Sequence, residues 1–158
     1  HRKAKDNLKT KAKRLDEAET AFRRFIRARD RLFFIKQGRP PECISCGTAK
    51  PNIQYAAGHL KTKGAYPELR FDENNCFLQC NKNCNGSVSG KITGTKTTRG
   101  YLVGLKEIYG ADRANEIIEY VETHQPLPKW DNEQIDSMKK DFNKRAKLLE
   151  DELFELTN

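Results

Sequence analysis

Cys43-Ile44-Ser45-Cys46-Gly47, Ala57-Gly58-His59, Asn74-Asn75-Cys76-Phe77-Leu78-Gln79-Cys80 and Cys84-Asn85 follow one another between Cys43 and Gly90, and the rest of the chain is read around them. All five cysteines of the protein fall in this stretch. Two residues separate Cys43 from Cys46, three separate Cys80 from Cys84, and 33 lie between the pairs. At that spacing two short knuckles can close a tetrahedral zinc site. Gly47 supplies the positive φ that such a knuckle often needs. Cys76 rivals Cys84, because it too is separated from Cys80 by three residues. The reading adopted takes Cys43, Cys46, Cys80 and Cys84 as ligands, which keeps both pairs beside tight turns and leaves Cys76 as a buried thiol. His59 and Asn75 are then caught inside the closed loop, with Asn85 just beyond its last ligand.

The composition sets bounds on the remainder. Of 158 residues, 36% are apolar and 33% charged, which is enough for one modest core with helical extensions. The net charge is +8, and it is segregated. Residues 1–39 carry fourteen Lys and Arg against five Asp and Glu, residues 40–99 eight against four, and residues 100–158 eight against thirteen. A basic arm and a basic centre suit a polyanion laid along one side. No apolar run approaches the roughly 18 residues of a membrane span, so no membrane partner is expected. Clustered cysteines without a signal peptide point to the reducing cytoplasm, where they more often hold metal than pair as disulfides. The chain begins at His1 rather than methionine, and His1 is given no chemical role.

Taken in order, the chain divides into a basic N-terminal helical arm (1–39), a zinc-bound core (40–100) and a helical C-terminal region (101–158). Residues 3–36 read as one long helix with Leu8, Leu15, Phe22, Ala18, Phe25 and Leu32 on one stripe. Gly38-Arg39-Pro40-Pro41 stops it. Ile53 to Ala57 reads as a strand that brings His59 to its end, and Asn75 to Gln79 as the strand pairing back. A helix from Asn81 to Val88 would carry Cys84 and Asn85. Gly86 to Gly100, rich in Gly, Ser, Thr and Lys, reads as a mobile loop that leaves Lys91, Lys96 and Arg99 free to touch phosphates. Helices follow over Tyr101–Tyr109, ended by Gly110, and over Asp112–Thr123, with Ala114, Ile117, Ile118 and Val121 inward. Residues 124–129 read as a stiff linker. Asp131 and Gln134 then form a capping box opening the last helix. Its stripe of Ile135, Met138, Phe142, Leu149, Leu153 and Leu156 matches that of the N-terminal helix, so the two can pair lengthwise, within a chain or as a homodimer.

A closed four-cysteine site has no open coordination position, so any reaction must use other groups. Hydrolysis of a phosphodiester requires a base for the attacking water and a cation for the developing charge. His59 suits the first role and Asn85 the second, since an amide oxygen is a ligand for Mg²⁺ or Mn²⁺. Asn75 is expected to hold the loop opposite His59 and so direct the imidazole. Asp72 and Glu73 are further candidates for the ion. Lys61, Lys63 and Arg70, with Arg23, Arg24, Arg27 and Arg31 on the basic arm, are the expected DNA contacts. Each residue also has a structural reading: Asn85-Gly86 is a common turn, and Asn75 can cap one.

The ordered set of Cys pair, Gly-His, Asn, Cys pair and Asn resembles the core of HNH (ββα-metal) nucleases. The match extends further. Phe25-Ile26-Arg27-Ala28-Arg29-Asp30-Arg31, Cys43-Ile44-Ser45-Cys46-Gly47-Thr48, Ala57-Gly58-His59, Leu69-Arg70-Phe71, Asn75, Gln79-Cys80, Cys84-Asn85, Ser89-Gly90 and Trp130 are similar to the NinG/Rap recombination endonucleases of lambdoid phages. The resemblance runs from about Ala21 to Leu153. It implies metal-dependent cutting of branched DNA such as D-loops and Holliday-type junctions, in the cytoplasm of a bacterial host. It implies His59 as base, Asn85 as catalytic-metal ligand and the cysteine pairs as zinc ligands. The chain departs from the family in its three-residue gap between Cys80 and Cys84, in Phe77 and Lys91, and in Gly58, which offers no ligand before the histidine.

The fold expected is therefore α+β: a small zinc-stapled ββα-metal core, treble-clef-like, flanked by long N- and C-terminal helices. The function expected is structure-specific DNA cleavage. Two other classes compete. One is a non-catalytic zinc protein that binds branched DNA, and the other an adaptor whose long helices recruit other phage or host recombination proteins.

Overall fold

The computed structural model describes residues 8–50, 53–85, 94, 98–123 and 127–158. Among these it contains four α-helices and one two-stranded antiparallel sheet. Helix α1 spans Lys11–Lys36, strand β1 Tyr55–His59, strand β2 Cys76–Cys80, helix α2 Tyr101–Tyr109, helix α3 Ala111–Glu122 and helix α4 Asn132–Thr157. A single π-helical turn, Asn81–Asn85, follows β2.

Helix α1 starts later than its charge pattern suggests, because Thr10 accepts a hydrogen bond from the Lys13 amide and caps it. Leu8 therefore leaves the expected stripe and is 83% exposed. The first residues of the expected helix, 3–7, lie outside the described residues. At its other end Gly38 takes φ +69° and turns the chain toward the prolines. The capping box at Asp131 and Gln134 forms as expected. Helices α1 and α4 pair within one chain and run in the same direction. Ion pairs mark this along their length: Arg14 with Asp136, Glu17 with Lys139, Arg24 with Glu150 and Lys36 with Glu152. Between them Phe22, Phe25, Phe142, Ile135 and Ala146 form one apolar cluster, closed by Phe71, Ala57 and Cys76 from the central region. The stripe on α4 fades toward the C terminus, where Leu156 is exposed.

The strands lie two residues and one residue later than expected, with Tyr55 opposite Cys80 and His59 opposite Cys76. One face of the sheet packs on α1 and the other, through Phe77 and its neighbours, on α2 and α3. In α3, Ala114, Ile117 and Val121 are buried, while Ile118 is only partly covered.

Two charged groups, the buried Asp30 and the partly buried Arg29, lock β2 to α1. Asp30 accepts a hydrogen bond from the Leu78 amide at 2.8 Å and one from Arg29 Nε at 2.8 Å. The guanidinium of Arg29 also donates to the carbonyls of Glu73 and Cys76 and lies 4.9 Å above the Phe77 ring. Burial of an ion pair is tolerable here because every polar atom named has a partner.

Helix α2 presses on the first cysteine knuckle. A β-carbon at Gly104 would fall 1.7 Å from the Ile44 carbonyl oxygen, so only glycine permits this approach. Gly100 donates its amide to Ser45 O at 2.8 Å. Arg99, expected in a mobile loop and free for phosphates, is instead engaged. Its guanidinium donates to the carbonyls of Ile44 and Cys43 and pairs with Glu42 and Glu107. Lys91, Lys96 and most of the expected loop lie outside the described residues.

Candidate metal centre and cleft

The four sulfurs of Cys43, Cys46, Cys80 and Cys84 all lie within 4.8 Å of one another. In a tetrahedron with Zn–S bonds of about 2.3 Å the sulfur–sulfur edge is about 3.8 Å. Cys46 Sγ and Cys80 Sγ stand 3.8 Å apart. The donor set therefore fits a structural metal such as zinc, and Cys76 is not part of it.

Local folding accounts for this convergence. Gly47 takes φ +74° and lets the Thr48 carbonyl turn back to the Cys43 amide. Cys80 ends β2, and the wide π turn after it accommodates three intervening residues while returning Cys84 to the cluster, where the expected helix from Asn81 to Val88 would have been narrower. Burial pushes the Cys43 thiol up to about 11 and holds that of Cys84 well above its ordinary value. At Cys46 burial acts the same way, but hydrogen bonds from Thr48 outweigh it and draw the thiol down to about 7. Packed sulfurs of this kind cannot all ionise unaided, and a divalent cation supplies the missing charge. Cys76, by contrast, is sealed against α1, and burial raises its thiol far out of the reactive range.

Beside this cluster opens a cleft of about 450 Å³. Among its lining residues are His59, Asn85, Lys63, Arg23, Arg27 and Glu19. His59, the last residue of β1, is fixed from several sides. Its Nε2 lies 3.0 Å from the Arg70 carbonyl oxygen. A carbonyl can only accept, so Nε2 carries the proton and the neutral ring keeps its lone pair at Nδ1. Burial pulls the His59 pKa down, and the bond to Arg70 and the charge of Glu19 oppose this. Tyr101 donates its hydroxyl to the Gly58 carbonyl at 2.6 Å.

Asn75 is fully buried and bridges the loop after His59. It accepts from the Lys61 amide at 2.8 Å and donates to the Lys61 carbonyl at 2.9 Å and the Leu69 carbonyl at 3.2 Å. The structure also accounts for Gly58. A β-carbon there would lie 2.1 Å from Gln79 Oε1, and Gln79 is buried and tied to Ser45. No side chain fits before the histidine.

Glu19 is the residue of this cleft that sequence reasoning missed. Its carboxylate, 3% exposed, receives Lys63 and Arg70 at 2.8 and 2.6 Å and also pairs with Arg23. Burial opposes its ionisation, but the hydrogen bonds from Lys63 and Arg70 and the field of Arg23 overcome it and hold the carboxyl at about 2. The available signal was position: Glu19 sits four residues after Leu15 and three before Phe22, on the apolar stripe itself.

The other expected contacts disperse. Arg24 faces α4, bound to Glu150 and Asn143. Lys61 pairs with Glu122 and lies over Tyr66. Arg31 lines a second cleft, beyond Tyr55. Asp72 accepts from Tyr120, and Glu73 pairs with Arg145; neither lines the His59 cleft.

Residues 1–152 match the sequence profile of a family described as bacteriophage lambda NinG protein. The chain belongs to the NinG family. It is 34% identical over 144 residues to protein ninG of Salmonella phage P22, covering 91% of this chain and 61% of that protein. It is 32% identical over 142 residues to protein ninG of Escherichia phage lambda, covering 90% and 60% of the two chains, and 32% identical over 142 residues to that of Escherichia phage 933W, covering 90% and 61%. The chain thus spans about three fifths of the length of these NinG relatives. No solved structure matches it. Among the described residues no helix is long and apolar enough to cross a membrane.

Proposed function

We propose that this NinG-family chain is an HNH-type, metal-dependent DNA endonuclease acting on branched recombination intermediates. One observation carries the reading: His59 and Asn85, 26 positions apart, line a single basic cleft beside a four-cysteine cluster able to hold a metal. His59, its proton on Nε2 committed to the Arg70 carbonyl, offers Nδ1 to a water and takes its proton as that water attacks a phosphodiester. The lowered pKa keeps the ring neutral, hence basic, at physiological pH.

The side-chain oxygen of Asn85 would be the protein ligand for Mg²⁺ or Mn²⁺, since an amide oxygen suits such a hard cation. Such an ion supplies charge for the transition state and the departing oxygen. The carboxylate of Glu19 is not offered to it, being saturated by Lys63, Arg70 and Arg23. Arg23, Arg27 and Lys63 position the backbone, and because phosphate contacts carry no sequence information, selection falls to DNA shape.

The test is a labelled four-way junction incubated with Mg²⁺, Mn²⁺ or no added divalent ion. His59→Ala should slow cleavage about 10²–10⁴-fold while binding is kept. Equal cutting by wild type and variant removes His59 from the mechanism, and binding without any cutting leaves the non-catalytic branched-DNA binder.

A further inference from the structure

The basic face of α1 continues past the His59 cleft. Arg23, Arg27 and Arg31 recur every fourth residue, so they lie in one row, with about 12 Å of helix between the first and the last. Arg23 and Arg27 line the His59 cleft and Arg31 lines the second one, also about 450 Å³. Among the described residues no carboxylate lies within ion-pairing range of Arg27 or Arg31. Burial, then the fields of Arg31 and Arg23, depress the pKa of Arg27, and the more distant charge of Glu150 opposes them. Arg23 is paired with Glu19, so among the described residues Arg27 and Arg31 are the part of the row without an ion pair, and two such cations one helical turn apart are complementary to phosphates, which recur at 3.4 Å of rise along each strand.

The second cleft differs in character from the first. Its walls are mostly apolar, from Ile53, Pro40, Pro41 and the ring of Tyr55, and Arg31 and Lys50 also line it. Tyr55 borders both clefts. Its hydroxyl donates toward the carbonyls of Pro41 at 2.9 Å and Thr48 at 3.0 Å, so the ring is held in place. A fixed aromatic ring and apolar walls beside cations are the elements of a stacking site for a base whose phosphates are already gripped. The volume falls in the range of about 300–1,000 Å³ usual for small-molecule sites.

We propose that the cleft bounded by Arg31, Lys50, Ile53 and Tyr55 receives an unpaired nucleotide of the DNA strand whose backbone runs along Arg23, Arg27 and Arg31 into the His59 cleft. The assignment rests on the reading of the first cleft as a DNA site and gives that site its preference for branched over continuous duplex. A paired base cannot enter, because its edge and faces are occupied within the stack; a base at a branch point is released at little cost.

The experiment needs no cleavage, which separates it from the nuclease reading. The full chain is mixed, without added divalent ion, with a junction carrying two unpaired thymidines at the branch, with the same junction made abasic at those positions, and with a fully paired duplex. The unpaired thymidines should improve binding about tenfold over the abasic junction. With 4-thiothymidine at those positions, irradiation should cross-link to peptides containing 40–41 or 50–55. Arg31→Ala/Lys50→Ala should weaken binding to the thymidine and abasic junctions alike and lower the salt slope of binding by about 1.4. Equal affinity for thymidine and abasic junctions, or cross-links that residue-level sequencing of the peptides confines to His59, Lys63 or Asn85, overturns the proposal. Cross-linking at 50–55 in a protein that never cuts would sustain it and defeat the nuclease reading alone.

Discussion

Replacing Asn75 with aspartate probes the loop that presents His59 with almost no change in volume. The acceptor for the Lys61 amide survives, but both donors disappear, so the carbonyls of Lys61 and Leu69 face a carboxylate oxygen across 2.9 and 3.2 Å. Each lost partner in a buried setting costs about 1–3 kcal/mol, giving about 2–6 kcal/mol in all. With a urea slope of about 2 kcal/mol/M, the unfolding midpoint of the zinc-loaded protein should fall by about 1–3 M. The measurement is a urea titration followed by the fluorescence of Trp130, which packs on Phe71 near this loop. A midpoint shift below about 0.3 M with an unchanged slope would refute the argument that Asn75 holds the strand-to-loop turn together.

Other perturbations test the remaining supports. Metal analysis should find about one zinc per folded chain in wild type and in Cys76→Ser, and much less in Cys84→Ser; the opposite pattern for the two serines would reassign the ligand set. Gly104→Ala drives a methyl into the Ile44 carbonyl and should destabilise by about 1–3 kcal/mol while speeding zinc loss to a chelator, and an unchanged loss rate would mean that α2 does not clamp the knuckle. Glu19 has a folded pKa of about 2 against 4.5 free. Depression of a carboxyl stabilises the fold fully above pH 4.5, and that contribution is lost as pH falls toward 2. Wild type should therefore lose about 3 kcal/mol more than Glu19→Gln over this window, a difference from which metal release cancels. Parallel melting of the two proteins with pH would dismiss the Glu19 cluster as a stabilising element.

Local signals survived translation into structure where the cause was itself local. Gly110 ends α2 and Gly47 turns the knuckle because each needs only its own φ, and Asp131 caps α4 through contacts within four residues. Cysteine spacing identified the four-cysteine cluster because chain length limits how such pairs can meet. The failures came from partners distant in sequence. Arg99 reads as a loop cation, yet it belongs to the knuckle 56 residues earlier, and no periodicity encodes that. Glu19 was hidden as one acid on a basic helix, since its value depends on Lys63 and Arg70 arriving from another segment. Thr10 was a legible cap, but the run of charges before it masked the boundary. The direction of α4 beside α1 was not encoded in either stripe, because an apolar seam alone does not distinguish parallel from antiparallel.

Helix α1 furnishes an entire wall of the His59 cleft, through Glu19, Arg23 and Arg27, although it is joined to the cysteine knuckles only by a short proline-bearing turn. The cysteine cluster and the cleft therefore draw on different segments of the chain. A chain could gather its four cysteines early and still present a one-sided trough until the helix docks through Arg29 and Asp30, so the basic cleft is complete only once segments 47 and 48 residues apart have met.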